Sequence, residues 1–269
     1  MGKRGKILIT GAHGFVGGII AKNLPYDLLT PPRSELDLSS KEQVDQYFLE
    51  HDIDTVIHCA LTGREVLFST DPEYTVDSLW MFRNLWNNKH RFKKLINLGT
   101  AYEFDLTKDN TLVKESDMLM HLPNTSYGYA KNIITRIVKN TDEFYNLRLF
   151  GVFHPEEANN RFFKKLLINR EITISNDIYL DYIYLEDIIK FIVPIIEHRL
   201  FWKDLNLVHT NKFKLSDLAR LFCKVQGINP DTVKVIGVGN NNLTGDSSYI
   251  QTCGIMLTPF DEAFSLYKI

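Results

Sequence analysis

Cysteine is scarce in this 269-residue chain: Cys59, Cys223 and Cys253 stand far apart, without the spacing of a metal site or a redox pair. Such usage argues against a disulfide framework and predicts a reducing compartment. Charge imbalance is missing as well, since 31 basic residues face 33 acidic ones. A formal charge of -2 gives no sign of a nucleic-acid-binding surface or an acidic tail. The densest basic run, "KHRFKK" at 89–94, precedes the apolar "LINLG" and reads as a solvated helix end or a loop feeding a strand. Long hydrophobic runs are also absent. "IIKFIVPII" at 188–196 is too short to cross a bilayer and contains Lys190 and Pro194. The opening "MGKRGKILITG" has a basic head but too few apolar residues for a signal peptide, and Lys6 stands where a myristoylation pattern needs Ser or Thr. Together these absences predict a soluble cytoplasmic protein with no nucleic-acid and no membrane partner. No His, Cys or carboxylate cluster has ligand spacing, so no metal is expected, and His58 and Cys59 read as core or cofactor-wall residues.

What is present is alternation. "KILIT" (6–10), "YDLLT" (26–30), "DTVIHCA" (54–60), "KKLINLGT" (93–100) and "FYNLRLFGVF" (144–153) read as apolar strands. Helical patterns lie between them at 15–24, 39–51, 75–90 and 128–140, the second opened by Ser39 and Ser40. Near-continuous apolar strands separated by helices predict an α/β fold, a doubly wound parallel sheet of Rossmann type covered on both faces. After about residue 155 the rhythm changes. "NNRFFKKLLINR" reads as a helix, "EITISN" as a strand, "YLDYIYLEDIIKFIVPIIEHRL" as a strand running into a helix, and "GVGNNNLTGDSS" as a polar loop. We therefore expect a dinucleotide-binding domain over 1–155 and a smaller substrate lobe over 156–269, with some segments of the latter returning to the main sheet.

"GAHGFVG" places Gly11, Gly14 and Gly17 between the first strand and the first helix. There the chain must turn sharply, expose backbone to a pyrophosphate and pack the helix closely on the sheet. Free N–H groups at the helix start would meet the phosphates. The second strand ends at Thr30, which is not acidic, and Arg33 follows. A guanidinium there suits the extra phosphate of NADP and leans the cofactor choice away from NAD, unless Arg33 is only an exposed loop charge.

Tyr127 and Lys131 are four residues apart, so on a helix they share a face. A phenol is a poor acid at neutral pH, and a nearby ammonium lowers its pKa. The same ammonium can hydrogen-bond a nicotinamide ribose. Thr100 sits at the C-terminal end of a central strand, the edge where open sheets bind ligands, and its hydroxyl can hold a substrate oxygen against the phenol. A proton donor beside a polarised oxygen is what hydride transfer to a carbonyl needs.

In "TGAHGFVG" (10–17), "DTVIHCA" (54–60), "INLGTAYEF" (96–104), "YGYAK" (127–131), "NLRLFGVF" (146–153) and "DYIYLEDI" (181–188) the chain resembles the extended short-chain dehydrogenases/reductases of the NAD-dependent epimerase/dehydratase type. "RSELDL" resembles the nucleotide-sugar 4-ketoreductase branch, which holds dTDP-4-dehydrorhamnose reductases and GDP-fucose synthases. The resemblance implies Tyr127 as acid/base, Lys131 as ribose binder and Thr100 as hydrogen-bond donor to the substrate oxygen. It implies a cofactor site made by Gly11, His13, Gly14, Phe15, Val16, Gly17, Arg33, Asp37, Leu38, Cys59, Ala60, Leu61 and Leu98 together with Tyr127 and Lys131. Tyr102, Asn160 and Arg161 would join Thr100 and Tyr127 around the sugar.

Departures from the pattern narrow the reaction. Where a fucose synthase carries a catalytic cysteine and a histidine, this chain has Tyr102 and, by position, Arg161, so both obvious groups for abstracting a proton next to a carbonyl are gone. Ala101 and Tyr102 replace the Asp-Glu pair of the 4,6-dehydratases, and Leu180 replaces the arginine that commonly precedes the "DYIYLEDI" motif. The expected function is NADPH-dependent reduction of the C4 ketone of a nucleoside-diphosphate-linked 4-keto-6-deoxy sugar. The alternatives are an NAD-dependent C4 epimerase and a non-catalytic NADP-binding regulator. A homodimer through the helices at 75–88 and 129–140 is expected, with Trp80, Met81 and Trp86 in the interface unless they pack the sheet.

Overall fold

The computed structural model describes residues 5–62 and 70–268; the first four residues, on which the reading of the opening segment partly rests, lie outside that range. β1 (Lys6–Thr10), α1 (Phe15–Asn23), β2 (Leu28–Leu29), α2 (Lys41–Glu50), β3 (Ile53–His58), α3 (Pro72–Asn87) and β4 (Lys94–Thr100) come first. β5 (Asn110–Val113), α4 (Ser126–Lys139), β6 (Phe144–Leu149), β7 (Gly151–Phe153), α5 (Phe162–Asn169), β8 (Ile172–Ile174) and β9 (Tyr182–Tyr184) follow. The remaining elements are α6 (Ile189–Ile196), β10 (Asp204–Leu207), α7 (Leu215–Val225), β11 (Val233–Val235), β12 (Leu243–Gly245), α8 (Ser248–Thr252) and α9 (Phe260–Ser265).

Two compact units interleave along the sequence. The first comprises the stretch up to Asp105, Ser116–Arg148 and Ile189–Leu205; the second comprises Leu106–Glu115, Leu149–Ile188 and the stretch from Asn206 onward. The first unit is organised by a six-stranded sheet in the order β10-β6-β4-β3-β1-β2. β1 pairs parallel with both β2 and β3, and β3 with β4, as right-handed strand-helix-strand crossovers require. Every residue of β4 and of β6 is buried, including the polar Lys94, Asn97, Thr100, Asn146 and Arg148. Local chemistry starts the helices. Ser40 caps α2 by accepting from the Gln43 N–H, and Thr125 caps α4 by accepting from the Gly128 N–H. α3 begins three residues before the sequence pattern suggested, because Asp71 accepts from the Glu73 N–H and Pro72 occupies the first turn.

The second unit is held by an aromatic core. Phe153, Phe163, Phe222, Phe260, Phe264 and Tyr267 pack together, and the rings of Phe163 and Phe264 lie 4.8 Å apart. Three two-stranded parallel ladders frame it: β5 with β12, β8 with β11, and β7 with β9. Two expectations are corrected here. The apolar run at 144–153 is not one strand. It breaks at Phe150, and β7 leaves the main sheet for β9, which Gly151 permits because a Cβ there would lie 2.7 Å from the Tyr182 ring. The polar segment at 237–248 is not all loop, since Leu243–Gly245 form β12 against β5. Its pairing partners lie far away in sequence, so composition alone could not reveal it.

Candidate active site

At the end of β1 the chain turns through Gly11, whose φ of 71° suits glycine. A Cβ on Gly11 would meet the Ala60 backbone at 2.8 Å, and one on Gly17 would meet the Gly11 carbonyl oxygen at 2.3 Å. Glycine is therefore required at both places by close backbone approach. Gly14 precedes α1 and supplies no side-chain cap to it, leaving His13 and Gly14 exposed and Phe15 and Val16 half-buried at the helix start. Cys59 and Ala60 run beside this turn: the Cys59 N–H donates to the Thr10 carbonyl at 3.2 Å, and Thr10 Oγ1 lies 2.9 Å from His58 Nδ1. Burial, helped by Lys131, pushes His58 down to about 3, so the ring is neutral. Burial pushes the Cys59 thiol up to about 12. His58 is buried and Cys59 half-buried beside the glycine turn.

Beyond β2, Arg33 is exposed and its Nε donates to Asp37 Oδ2 at 3.2 Å. Asp37 also accepts from the Ser39 N–H and hydroxyl, at 2.9 and 2.7 Å. Burial works against its charge, but the Ser39 bonds and Arg33 outweigh burial and hold the carboxyl below its ordinary range. His13 Nε2 lies 3.1 Å from the Thr30 carbonyl, so the glycine turn and the end of β2 meet. Leu38 is buried, with its carbonyl accepting from Asn84 at 2.8 Å, while Leu61 is half exposed.

The catalytic candidates converge in the first unit. Thr100 ends β4, and Tyr127 and Lys131 lie on the first turns of α4, all three buried. The Thr100 side chain favours the ionised form of the Tyr127 phenol, so the two groups lie within each other's influence. Lys131 Nζ donates to the Leu98 carbonyl at 3.0 Å. Tyr102 and Tyr74 close edge-on around the phenol, with ring centroids 5.8 and 6.0 Å from Tyr127. A narrow cavity of about 10 Å³ reaches this group past His58, Ala60, Leu61 and Met81.

Electrostatics differ from the expectation in one respect. Burial is the largest influence on Tyr127 and raises its pKa; the Thr100 side chain acts the other way, while Tyr74, Glu103 and Tyr102 raise it further. The lysine itself is lowered by burial, with Glu103 and Cys59 working to restore it. Lys131 is not among the groups that shift the phenol, and its Nζ donates to the Leu98 carbonyl instead.

A buried polar network that the sequence pattern does not reveal lies beneath. Glu103 Oε1 accepts from the Thr100 N–H at 2.9 Å, and its Oε2 accepts from Arg148 Nε, also at 2.9 Å. Arg148 in turn meets Asp204 at 3.0 Å, and Arg148 and Glu103 are wholly buried. The only signal in the sequence was a charged residue at the centre of an otherwise apolar strand pattern.

In the second unit, Arg161 precedes α5 and is tied locally: its Nε donates to Glu157 Oε2 at 3.1 Å and its Nη2 to the Val152 carbonyl at 2.6 Å. Asn160 beside it is exposed. Lys164 reaches the Pro155 carbonyl at 3.3 Å and Lys165 is exposed. Where the family pattern has arginine, Leu180 stands, and the cation beside Asp181 is Lys212, 2.8 Å away. Despite that partner, burial pushes Asp181 up to about 6.

The chain resembles known proteins over most of its length. A GDP-L-colitose synthase of Yersinia pseudotuberculosis is 27% identical over 186 residues, 62% of this chain and 60% of that protein. A GDP-L-fucose synthase of Azorhizobium caulinodans is 30% identical over 156 residues, 54% of this chain and 50% of that protein. The matches thus span less than two thirds of these relatives' lengths. A solved GDP-mannoheptose C4 reductase of Campylobacter jejuni, with NADP bound, superposes with a TM-score of 0.83 at 18% identity, over 98% of this chain and 97% of that one. At that identity the likeness concerns the fold. The family model matches residues 7–206, which hold the glycine turn, Thr100, Tyr127 and Lys131, and the chain therefore belongs to the NAD dependent epimerase/dehydratase family.

Proposed function

We propose that this chain is an extended short-chain dehydrogenase/reductase that uses NADPH to reduce the C4 ketone of a nucleoside-diphosphate-linked 4-keto-6-deoxy sugar. The observation that carries the reading is the convergence of Thr100, at the C-terminal end of β4, with Tyr127 and Lys131 on the first turns of α4, all three buried. The cradle fits a dinucleotide: Gly11 and Gly17 leave no room for side chains where backbone must face a pyrophosphate, and α1 begins there without a side-chain cap. The dinucleotide would supply the hydride. Gly11, Gly14 and Gly17 would hold its phosphates, Arg33 its additional phosphate, and Lys131 its nicotinamide ribose.

The chain's own residues do the rest. Thr100 orients the ketone oxygen, and Tyr127 delivers the proton that the forming alkoxide needs. A raised phenol pKa suits this direction of chemistry, because the group stays protonated until an oxyanion develops beside it. Tyr102 and Arg161 replace the cysteine and histidine of an epimerising synthase, and Arg161 is held by Glu157 and Val152. Reduction without prior epimerisation follows. The relatives' names, GDP-L-colitose synthase and GDP-L-fucose synthase, support a nucleotide-sugar substrate. A homodimer through α3 and α4 fits the exposure of Val76, Trp80 and Tyr129; Trp86 instead packs edge-on against Phe144 at 5.9 Å.

The test is incubation with NADPH or NADH and a panel of nucleotide-linked 4-keto sugars, following nicotinamide absorbance and sugar products. Stoichiometric oxidation with a C4 alcohol product is expected. Isomer formation without net oxidation would make the chain an epimerase, and dinucleotide binding without turnover of any sugar would make it a regulator.

A further inference from the structure

We infer that Glu103 is a positioning residue: fixed by Arg148, its carboxylate holds the Thr100 backbone while its carbonyl holds the helix that carries Tyr127 and Lys131. The inference rests on the reductase reading given above. Its geometry begins with the turn after β4. Glu103 Oε1 accepts from the Thr100 N–H at 2.9 Å while Thr100 Oγ1 accepts from the Tyr102 N–H at 3.3 Å, a reciprocal pair that locks the hydroxyl-bearing residue at the strand end. The Glu103 main chain reaches the other half of the site. Its carbonyl accepts from Asn132 Nδ2 at 2.9 Å, and Asn132 is the neighbour of Lys131 on α4. One residue therefore grips both the strand that carries Thr100 and the helix that carries Tyr127.

The carboxylate is itself immobile. Arg148, on β6, binds Glu103 and Asp204 together, and Asp204 also accepts from Asn146 Nδ2 at 2.8 Å. Asn146 continues to Asn97 at 2.7 Å and to Thr135 at 3.3 Å. These groups close over Gly99, where a Cβ would lie 2.6 Å from Glu103 Oε1 and 2.7 Å from the Asn146 amide. Gly99 thus admits the network directly beside Thr100.

Two buried carboxylates share one guanidinium, so the trio carries net negative charge when both are ionised. A buried network of this kind is a poor source of stability by itself, since desolvation offsets much of the Coulomb gain. Its placement argues for another use. The groups facing Tyr127 and Lys131 are His58 at the end of β3 and Cys59 after it, Tyr74 from α3, and Thr100, Tyr102 and Glu103 from β4 and its turn. Among them Glu103 is the carboxylate. When ionised it raises both the phenol and the lysine, so its loss moves both downward; burial raises Glu103 itself, against the pull of Arg148. The groups facing Glu103 itself are Arg148 and Asp204, and Lys139 lies 4.0 Å from Asp204.

Glu103→Gln leaves an acceptor for Thr100 but removes the charge and with it the Arg148 ion pair that fixes the side chain. With NADPH and an accepted nucleotide-linked 4-keto sugar, it is expected to bind dinucleotide as the parent does, to lose about 100-fold in kcat, and to shift the alkaline limb of kcat/KM to lower pH. Asp204→Asn breaks the same buried network without touching Thr100, and its alkaline limb should stay where the parent's is. The charge effect is overturned if Glu103→Gln leaves the limb in place or if Asp204→Asn moves it equally. Should Glu103→Gln fail to fold, Glu103→Asp decides: it keeps the charge and shortens the reach, so kcat falls with the limb unmoved, whereas parental kcat overturns the positioning role. A second readout needs no substrate. In protein with isotopically labelled tyrosine rings, the Tyr127 signal, assigned by its loss in Tyr127→Phe, should begin to titrate at lower pH in Glu103→Gln than in the parent, and an unchanged titration overturns the charge effect. If the parent turns over no sugar, the reductase reading fails and this signal alone judges Glu103.

Discussion

The two units bury carboxylates for different purposes. In the first, Glu103 lies under Thr100 and belongs to a chain of polar groups that ends at the candidate catalytic phenol. In the second, Asp177, Asp187 and Glu157 each fasten a chain turn. Asp177 accepts from the Ser216 N–H and hydroxyl at 2.9 Å each, at the start of α7. Asp187 takes the N–H and hydroxyl of Thr258 at 2.8 and 2.7 Å, shortly before α9. Glu157 joins Tyr267 at 2.9 Å to the first turn of α5 through the Lys164 N–H. Burial of charge is thus not itself a mark of function; what matters is whether the donors it satisfies are chain ends or reacting groups.

The largest expected effect falls on the first unit. Tyr127→Phe should lower turnover by about a thousandfold, the size of a lost general acid, and leave dinucleotide affinity within about twofold. Full activity in that variant would erase the contrast, because the buried network would then end at nothing. In the second unit the corresponding effect is on stability. Phe163→Ala, in the aromatic core, should cost about 3–5 kcal/mol in denaturant unfolding, while the folded fraction keeps parental dinucleotide affinity. A smaller change is expected at the rim of the cofactor site, where Arg33→Ala should weaken NADPH binding by about tenfold and spare NADH, the worth of about one charge-assisted hydrogen bond.

The smallest effect concerns pH. Asp181 is raised from 3.8 to about 6, first by burial and in spite of Lys212. A carboxyl whose folded pKa is raised binds its proton more tightly when folded, so its contribution is fully present below pH 3.8 and is lost as pH rises through about 6. Denaturation midpoints of the parent should carry this downward slope across the window, and Asp181→Asn should remove it. An identical slope in both would assign it to another group.

Much of the first unit could be read from local spacing. The glycine turn, the Tyr127 and Lys131 pair and the strand-end Thr100 each sit within a few residues of their partners, so their meaning survives without knowledge of the fold. Glu103, Arg148 and Asp204 could not be read that way, since their bonds join residues 45 and 56 apart and the interrupted apolar pattern does not say what pairs with what. The same holds for β12, whose Thr244 hydroxyl accepts from the Leu112 N–H across 132 residues. The pKa of Tyr127 was misjudged for a different reason: spacing along a helix reports which side chains share a face, whereas desolvation depends on everything packed around them.

The strand order has a practical consequence for anyone wishing to dissect this protein. A fragment ending near residue 155 keeps the glycine turn and Tyr127 but omits β10, which flanks β6 in the sheet. β6 would then present an uncovered row of backbone donors and acceptors, an invitation to associate with other chains. Isolating the candidate nucleotide-binding unit therefore calls for splicing residues 189–207, which hold α6 and β10, back onto the fragment rather than for a single cut.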